Sequence, residues 1–166
     1  MVLKYNLPNN EKNINGFLLN KGISHRLLLS LKRHNCIEIK DTALIVNLDY
    51  EEESENIVPS KIDLDIVHED DALLVLNKPT GIPVHPSLHY YESSLSNGVK
   101  NYFNSLGLKK LIRPVNRLDK NTSGLVVFAK NAYIQEELIK QMKSGQFKKK
   151  YIALLTGTLN EKKRNN

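Results

Sequence analysis

The sequence predicts an α+β chain: a small helical unit over residues 1–50, a linker over 51–60, and a mixed, mainly antiparallel β-sheet with flanking helices over 61–166. Three observations carry this. Apolar residues recur at helical spacing over residues 14–31. Short alternating or continuous apolar runs dominate after residue 62. Between the two, EEESENIVPS is acidic, polar and closed by Pro59, as a connecting segment should be.

In the first unit, Ile14, Phe17 and Leu18 fall on one helical face, and Gly22 interrupts the pattern. Ser24 is placed to cap a second helix carrying Leu27, Leu28 and Leu31. Two short alternating runs follow, at 36–39 and 44–48. Beyond the linker, Leu64, Ile66 and His68 alternate with Asp63, Asp65 and Val67, and residues 72–76 form a continuous apolar strand. The following loop holds Asn77, Lys78, Pro79, Thr80, Gly81, Pro83, His85 and Pro86, whose prolines fix an extended course. His85 has no second His or carboxylate spaced to work with it, so it reads as loop structure. Ser93 or Ser94 caps a helix with Leu95, Val99, Phe103 and Leu106 on its apolar stripe; Lys100, Lys109 and Lys110 are expected on the wet side. A later helix carries Ile134, Leu138 and Met142, with Lys140 and Lys143 near its end, before Gly145. An apolar strand behind three lysines is expected over 147–157.

The segment that organises the chain is RPVNRLDKNTSGLVVFAKN, residues 113–131. It sets Asp119 in a polar turn between Arg117-Leu118 and the run Leu125, Val126, Val127, Phe128. Asn121, Thr122 and Ser123 offer side-chain oxygens to loop amides, and Gly124 permits unusual backbone angles. A carboxylate is thereby held at the mouth of a sheet. The strands at 73–76 and 125–128 read as buried on both faces.

An isolated Arg-Leu-Asp would read as a simple ion pair. The whole stretch, however, resembles the signature of the RluA/RluD-type RNA pseudouridine synthases: Arg117-Leu118-Asp119, two variable residues, Thr122-Ser123-Gly124, then a hydrophobic strand ending in Ala129-Lys130. Many members have His where this chain has Asn116, which keeps a donor and an acceptor but cannot titrate. Residues 65–86 resemble the opening of the same domain, with its Asn-Lys-Pro-x-Gly loop and His-Pro. Lys149, Tyr151 and Ala153 match the family's Lys-x-Tyr-x-Ala pattern, which implies a Tyr packing against the target base. The first unit resembles the small alpha-L RNA-binding domain of many such synthases. That implies Lys21, His25, Arg26, Lys32 and Arg33 on an RNA-facing side, against the alternative of a helical cap with a solvated basic face. The resemblance covers residues 62–158, about the first half of such a catalytic domain. It therefore leads to the expectation of a truncated chain lacking later strands and the basic partner of the acid.

Charge fits this reading. Residues 1–60 hold seven Lys/Arg against eight Asp/Glu, whereas residues 61–166 hold seventeen against ten. The excess of cations lies with the Asp119 segment, as a polyanionic substrate requires. No window of eighteen apolar residues is present, the first eleven residues lack a signal-peptide core, and Cys36 is alone. A monomeric cytoplasmic protein without membrane association is expected.

The resemblance implies conversion of uridine to pseudouridine in ribosomal or transfer RNA. Asp119 would be the catalytic carboxylate, Arg117 a phosphate contact or filler of the vacated stack, Tyr151 the base platform, and Lys149 an RNA contact. That chemistry calls for no metal, nucleotide or redox cofactor. The alternatives are a catalytically incomplete RNA-binding fragment and a helical-cap protein without an RNA role.

Overall fold

The computed structural model describes residues 1–8, 11–52 and 56–157. Glu53, Ser54 and Glu55 of the expected linker, and the C-terminal residues from Thr158 onward, lie outside the described residues.

The first unit is built on a three-stranded antiparallel sheet. β1 (Val2–Asn6) pairs with β3 (Ala43–Asn47), which also pairs with β2 (Ile37–Lys40), giving the order β1-β3-β2. Sequence reading missed β1 because none of its residues is fully buried; only Leu3 and Tyr5 lean on the core. α1 (Ile14–Asn20) and α2 (His25–Arg33) are joined through Gly22 at φ 89°, where the Gly22 amide donates to Leu19 O and the Ile23 amide to Leu18 O. This closing pattern satisfies carbonyls that the end of α1 would orphan. Ser24 caps α2 as expected, its hydroxyl accepting from the Leu27 amide at 3.1 Å. Leu27, Leu28 and Leu31 then meet Leu18, Leu44, Val46 and Leu48 in one buried cluster.

The second unit holds a four-stranded antiparallel sheet in the order β4-β5-β7-β6, formed by Ile66–Glu69, Leu73–Lys78, Gly124–Ala129 and Arg113–Pro114 respectively. Opposed residues Leu74 and Phe128, and Leu76 and Val126, point to one face. There they are buried with Leu95, Val99 and Phe103 of α3 (Leu95–Ser105). Ser94 caps α3 reciprocally with Asn97, whose side-chain amide also donates to Val58 O at 2.7 Å and Tyr91 O at 3.0 Å. Gly98 matters for packing: a Cβ there would stand 3.0 Å from both Ile62 and Leu64, so glycine lets this segment cross the helix. Leu106, expected in the apolar stripe, is the half-exposed C-cap.

Burial on both sheet faces is corrected. Val75 and Val127, paired on the other face, are only half-buried, and Leu125 is 56% exposed. The strands alternate because α3 covers one side. The expected apolar strand over 147–157 is also corrected: these residues form no strand, with Tyr151 62% exposed and Ile152 fully exposed. No neighbouring strand edge pairs with them among the described residues.

α4 (Ala132–Lys143) lies in the seam between the units and has no fully buried residue. Its Ala132 and Tyr133 pack against the first unit's core. Glu136 accepts from the Ser24 hydroxyl at 2.7 Å, and Lys140 donates to Gly22 O at 3.0 Å. Arg113 and Glu52 form a buried ion pair at 2.7 Å, and Lys110 pairs with Asp49 while donating to Tyr50 O at 3.1 Å. Lys110 is therefore buried, not on the wet side, because Asp49 and a carbonyl replace its water. The described parts of residues 51–60 are tied down as well: the Glu52 amide donates to Lys109 O and the Ser60 amide to Asn97 O.

Candidate active site

Asp119 sits in the turn that returns the chain from β6 to β7. Pairing continues past Pro114, where the Val115 amide donates to Val127 O at 2.7 Å. Asn116, buried, then completes the ladder with its side chain, donating to Leu125 O at 3.0 Å and accepting from the Val127 amide at 2.9 Å. Its role here is to hold the turn to the strand, and both hydrogen bonds suit a carboxamide better than a titrating ring. Beyond it Arg117 and Asp119 are exposed. The Thr122 amide closes the turn on Asp119 O at 3.1 Å, and Gly124 exits at φ 124°.

What fixes this turn from the other side is Lys78, which sequence reasoning passed over. Strand alternation puts residue 78 on the same face as Leu74 and Leu76, and its side chain is fully buried. The ammonium donates to Pro79 O at 2.8 Å, Ile82 O at 2.9 Å and Lys120 O at 3.0 Å. Two further bonds join the loops: Gly81 amide to Lys120 O at 2.9 Å, and Thr80 hydroxyl to Asn121 O at 3.0 Å. Burial pushes the Lys78 pKa down, and the charge of Asp119 acts against that shift. The signal was available in Asn77-Lys78-Pro79: a proline-rich loop has carbonyls without matching amides, so a buried cation can gather them.

His85 stands beside this clamp. Its Nδ1 is 3.5 Å from the Ser96 hydroxyl, which itself donates to Val84 O at 2.7 Å. The residue stays accessible, yet desolvation of its ring, and then the charge of Arg117, hold its pKa below the ordinary value. Loop structure and proximity to Arg117 both describe it. Lys120 lies over the Tyr90 ring, 4.6 Å from its centre.

Tyr151 and Lys149 line an open depression of about 690 Å³ on the uncovered face of the sheet. Its other walls are Leu118, Leu125, Val127 and residues 121–124, the neighbours of Asp119 on both sides. Arg26 and Arg33 line a cleft against α4, whereas Lys21 lies over the Phe17 ring at 5.4 Å, and His25 and Lys32 are exposed outside that cleft. Among the described residues no group of three or more His, Cys, Asp or Glu is placed to hold a metal, and no helix is long and apolar enough to cross a membrane.

The sequence model of the RNA pseudouridylate synthase family matches residues 72–166, more than half of the chain and all of the clamp and turn just described. The chain belongs to that family. It is 33% identical over 141 residues to the uncharacterized RNA pseudouridine synthase YhcT of Bacillus subtilis, covering 85% of this chain and 45% of that one. A second Bacillus subtilis relative, YjbO, also an uncharacterized RNA pseudouridine synthase, is 30% identical over 151 residues, with 83% and 53% covered. Identity rises to 40% over 106 residues, 64% of this chain and 28% of the relative, with ribosomal large subunit pseudouridine synthase D of Neisseria meningitidis. The chain spans about half the length of the two Bacillus relatives.

Proposed function

We propose that this chain carries the catalytic acid of an RNA pseudouridine synthase acting on uridine in ribosomal or transfer RNA. The observation that supports this most is the exposed Asp119 on a turn locked to the 78–82 loop by a buried ammonium. The reaction breaks the N1–C1′ bond, turns the uracil and forms a C5–C1′ bond; the C5 proton leaves as N1 gains one. Asp119 serves it by attacking C1′ or by promoting a glycal. Arg117 contacts a phosphate or fills the vacated stack, and Tyr151 offers its ring to the turned base beside Lys149. Residues 1–50 act as an RNA-binding unit through Lys21, His25, Arg26, Lys32 and Arg33, residues 51–60 connect, and residues 61–166 are the N-terminal portion of the catalytic domain. The same reading places a monomer in the cytoplasm.

The test is tritium release from uridine-labelled ribosomal and transfer RNA. Asp119→Asn is expected to lower release by at least about a thousandfold while RNA affinity changes little. Near-normal turnover by the variant would remove Asp119 from the chemistry. A second reading, an RNA-binding piece with an incomplete site, is favoured by one observation: Asp119 enters no ion pair among the described residues. It expects salt-sensitive RNA binding without tritium release even from the unaltered chain.

A further inference from the structure

One face of α2 is unused by the first unit's core. Arg26, Leu29, Ser30 and Arg33 recur at i, i+3, i+4 and i+7, so they form a stripe opposite α4 across a cleft of about 1090 Å³. Leu29 is 65% exposed on that stripe, and neither arginine enters an ion pair among the described residues. At the end of the stripe, His34 stacks on Tyr50 with ring centres 4.5 Å apart and planes 25° apart. Its Nδ1 meets Ser30 O at 2.9 Å, and Tyr50 Oη meets the Ser30 hydroxyl at 3.1 Å. The imidazole is thus held flat on a buried tyrosine while the residue remains exposed.

We propose that this cleft binds a single-stranded segment of the RNA, with phosphates on Arg26 and Arg33 and one base stacked on His34. Two arginines seven residues apart stand ~10 Å apart along the helix and can follow a strand's backbone. A ring already fixed by stacking and a hydrogen bond loses little freedom when a base covers it. The carboxylates in the cleft do not cancel the arginines: Glu52 is paired with Arg113, and Glu136, which accepts from Ser24 and keeps its charge, stands against both Arg26 and Arg33. The inference rests on the RNA reading above and narrows it. RNA runs between the units, and the arginine stripe carries more of the contact than Lys21, His25 and Lys32, which do not line the cleft.

The experiment is anisotropy of a fluorescent ten-nucleotide oligoadenylate titrated with the full chain at several salt concentrations. Arg26→Ala with Arg33→Ala is expected to weaken binding about tenfold and to reduce the salt slope by roughly 1.4, two single-strand phosphate contacts. His34→Ala is expected to weaken it about fivefold with the slope unchanged. His34→Phe, which keeps a flat ring, should restore most of that loss. Lys21→Ala with Lys32→Ala should weaken binding less than the arginine pair does. A larger loss from the Lys21 and Lys32 pair than from the arginines, or no effect of His34→Ala, overturns the cleft. If Arg117→Ala and Lys149→Ala weaken binding while the cleft variants do not, the RNA reading stands and this inference alone falls. No binding by the unaltered chain overturns both.

Discussion

In the first unit two helices close over a three-stranded sheet, and Leu18, Leu31, Leu44 and Val46 are wholly withdrawn from water. In the second, one helix covers one face of a four-stranded sheet, and Leu125 and Tyr151 stand in solvent on the other side. The difference lies in what holds each part in place. The closed unit relies on apolar packing, which is dense and non-directional. The Asp119 turn borders the open face and relies on a directed polar clamp, the Lys78 ammonium with its three carbonyls. The role proposed for Asp119 calls for access and fixed geometry together, and a clamp from behind supplies both.

The sharpest way to break this comparison is a matched pair of truncations. Leu31→Ala removes a wholly buried side chain and is expected to destabilise by about 3 kcal/mol in urea unfolding, transfer and cavity effects together. Leu125→Ala, on the open face, is expected to shift stability by less than about 0.5 kcal/mol. Equal effects would mean that the open face is covered in solution and that the two units do not differ as described.

A smaller effect is expected at the clamp. Lys78→Met keeps the length of the side chain but removes its donors, so Pro79 O and Ile82 O lose the ammonium and Lys120 O keeps only the Gly81 amide. Relief of the buried charge offsets part of that loss, so about 2 kcal/mol is expected. The sharper readout is local. Hydrogen exchange at the Gly81 amide, which donates to Lys120 O, should accelerate more than at the Val126 amide in the sheet. Uniform acceleration would show Lys78 to be an ordinary core residue with no special hold on the turn.

How legible each part was follows from the same contrast. Packing by repeated apolar spacing can be read from sequence, so α1, α2, α3 and α4, the Ser24 cap and the strands at 73–76 and 125–128 were all anticipated. β1 escaped because Val2, Lys4 and Asn6 are exposed, leaving too weak an alternation to distinguish from an irregular terminus. Lys110 and Lys78 escaped for a different reason. A lysine reads as exposed until its counter-groups are known, and those groups come from distant positions: Asp49 for one, Lys120 O for the other. Tyr151 was chosen by motif, and the structure sets it at the depression beside the Asp119 turn but on an exposed, extended segment. Pairing partners decide strands, and none is present for residues 147–157 among those described.

The smallest expected effect concerns the seam that joins the two units. A hydrogen bond from Lys110 is the main cause holding the Asp49 pKa below 3.8; burial opposes it, and the charges of Lys110 and the N-terminus assist. A carboxylate whose folded pKa lies below its unfolded value adds stability that is fully present above the unfolded pKa. That contribution is lost as pH falls through the folded one. The Asp49 side chain is 62% exposed, so solvent screens the pair and its contribution should stay under about 1 kcal/mol. Unfolding of the unaltered chain and of Asp49→Asn, measured from pH 7 down to pH 3, should therefore show a gap that is steady above about pH 4 and closes below it. Glu69 shifts in the same direction: burial, its largest single influence, pushes the pKa up, but hydrogen bonds from Lys130 and Tyr102 and the charge of Lys130 together bring it below the ordinary value. It belongs to the second unit and is unchanged in both proteins, so it cannot close the gap. A gap that persists at pH 3 would assign the Asp49 effect to packing at the seam and remove its charge from the account of how the closed unit is held to the open one.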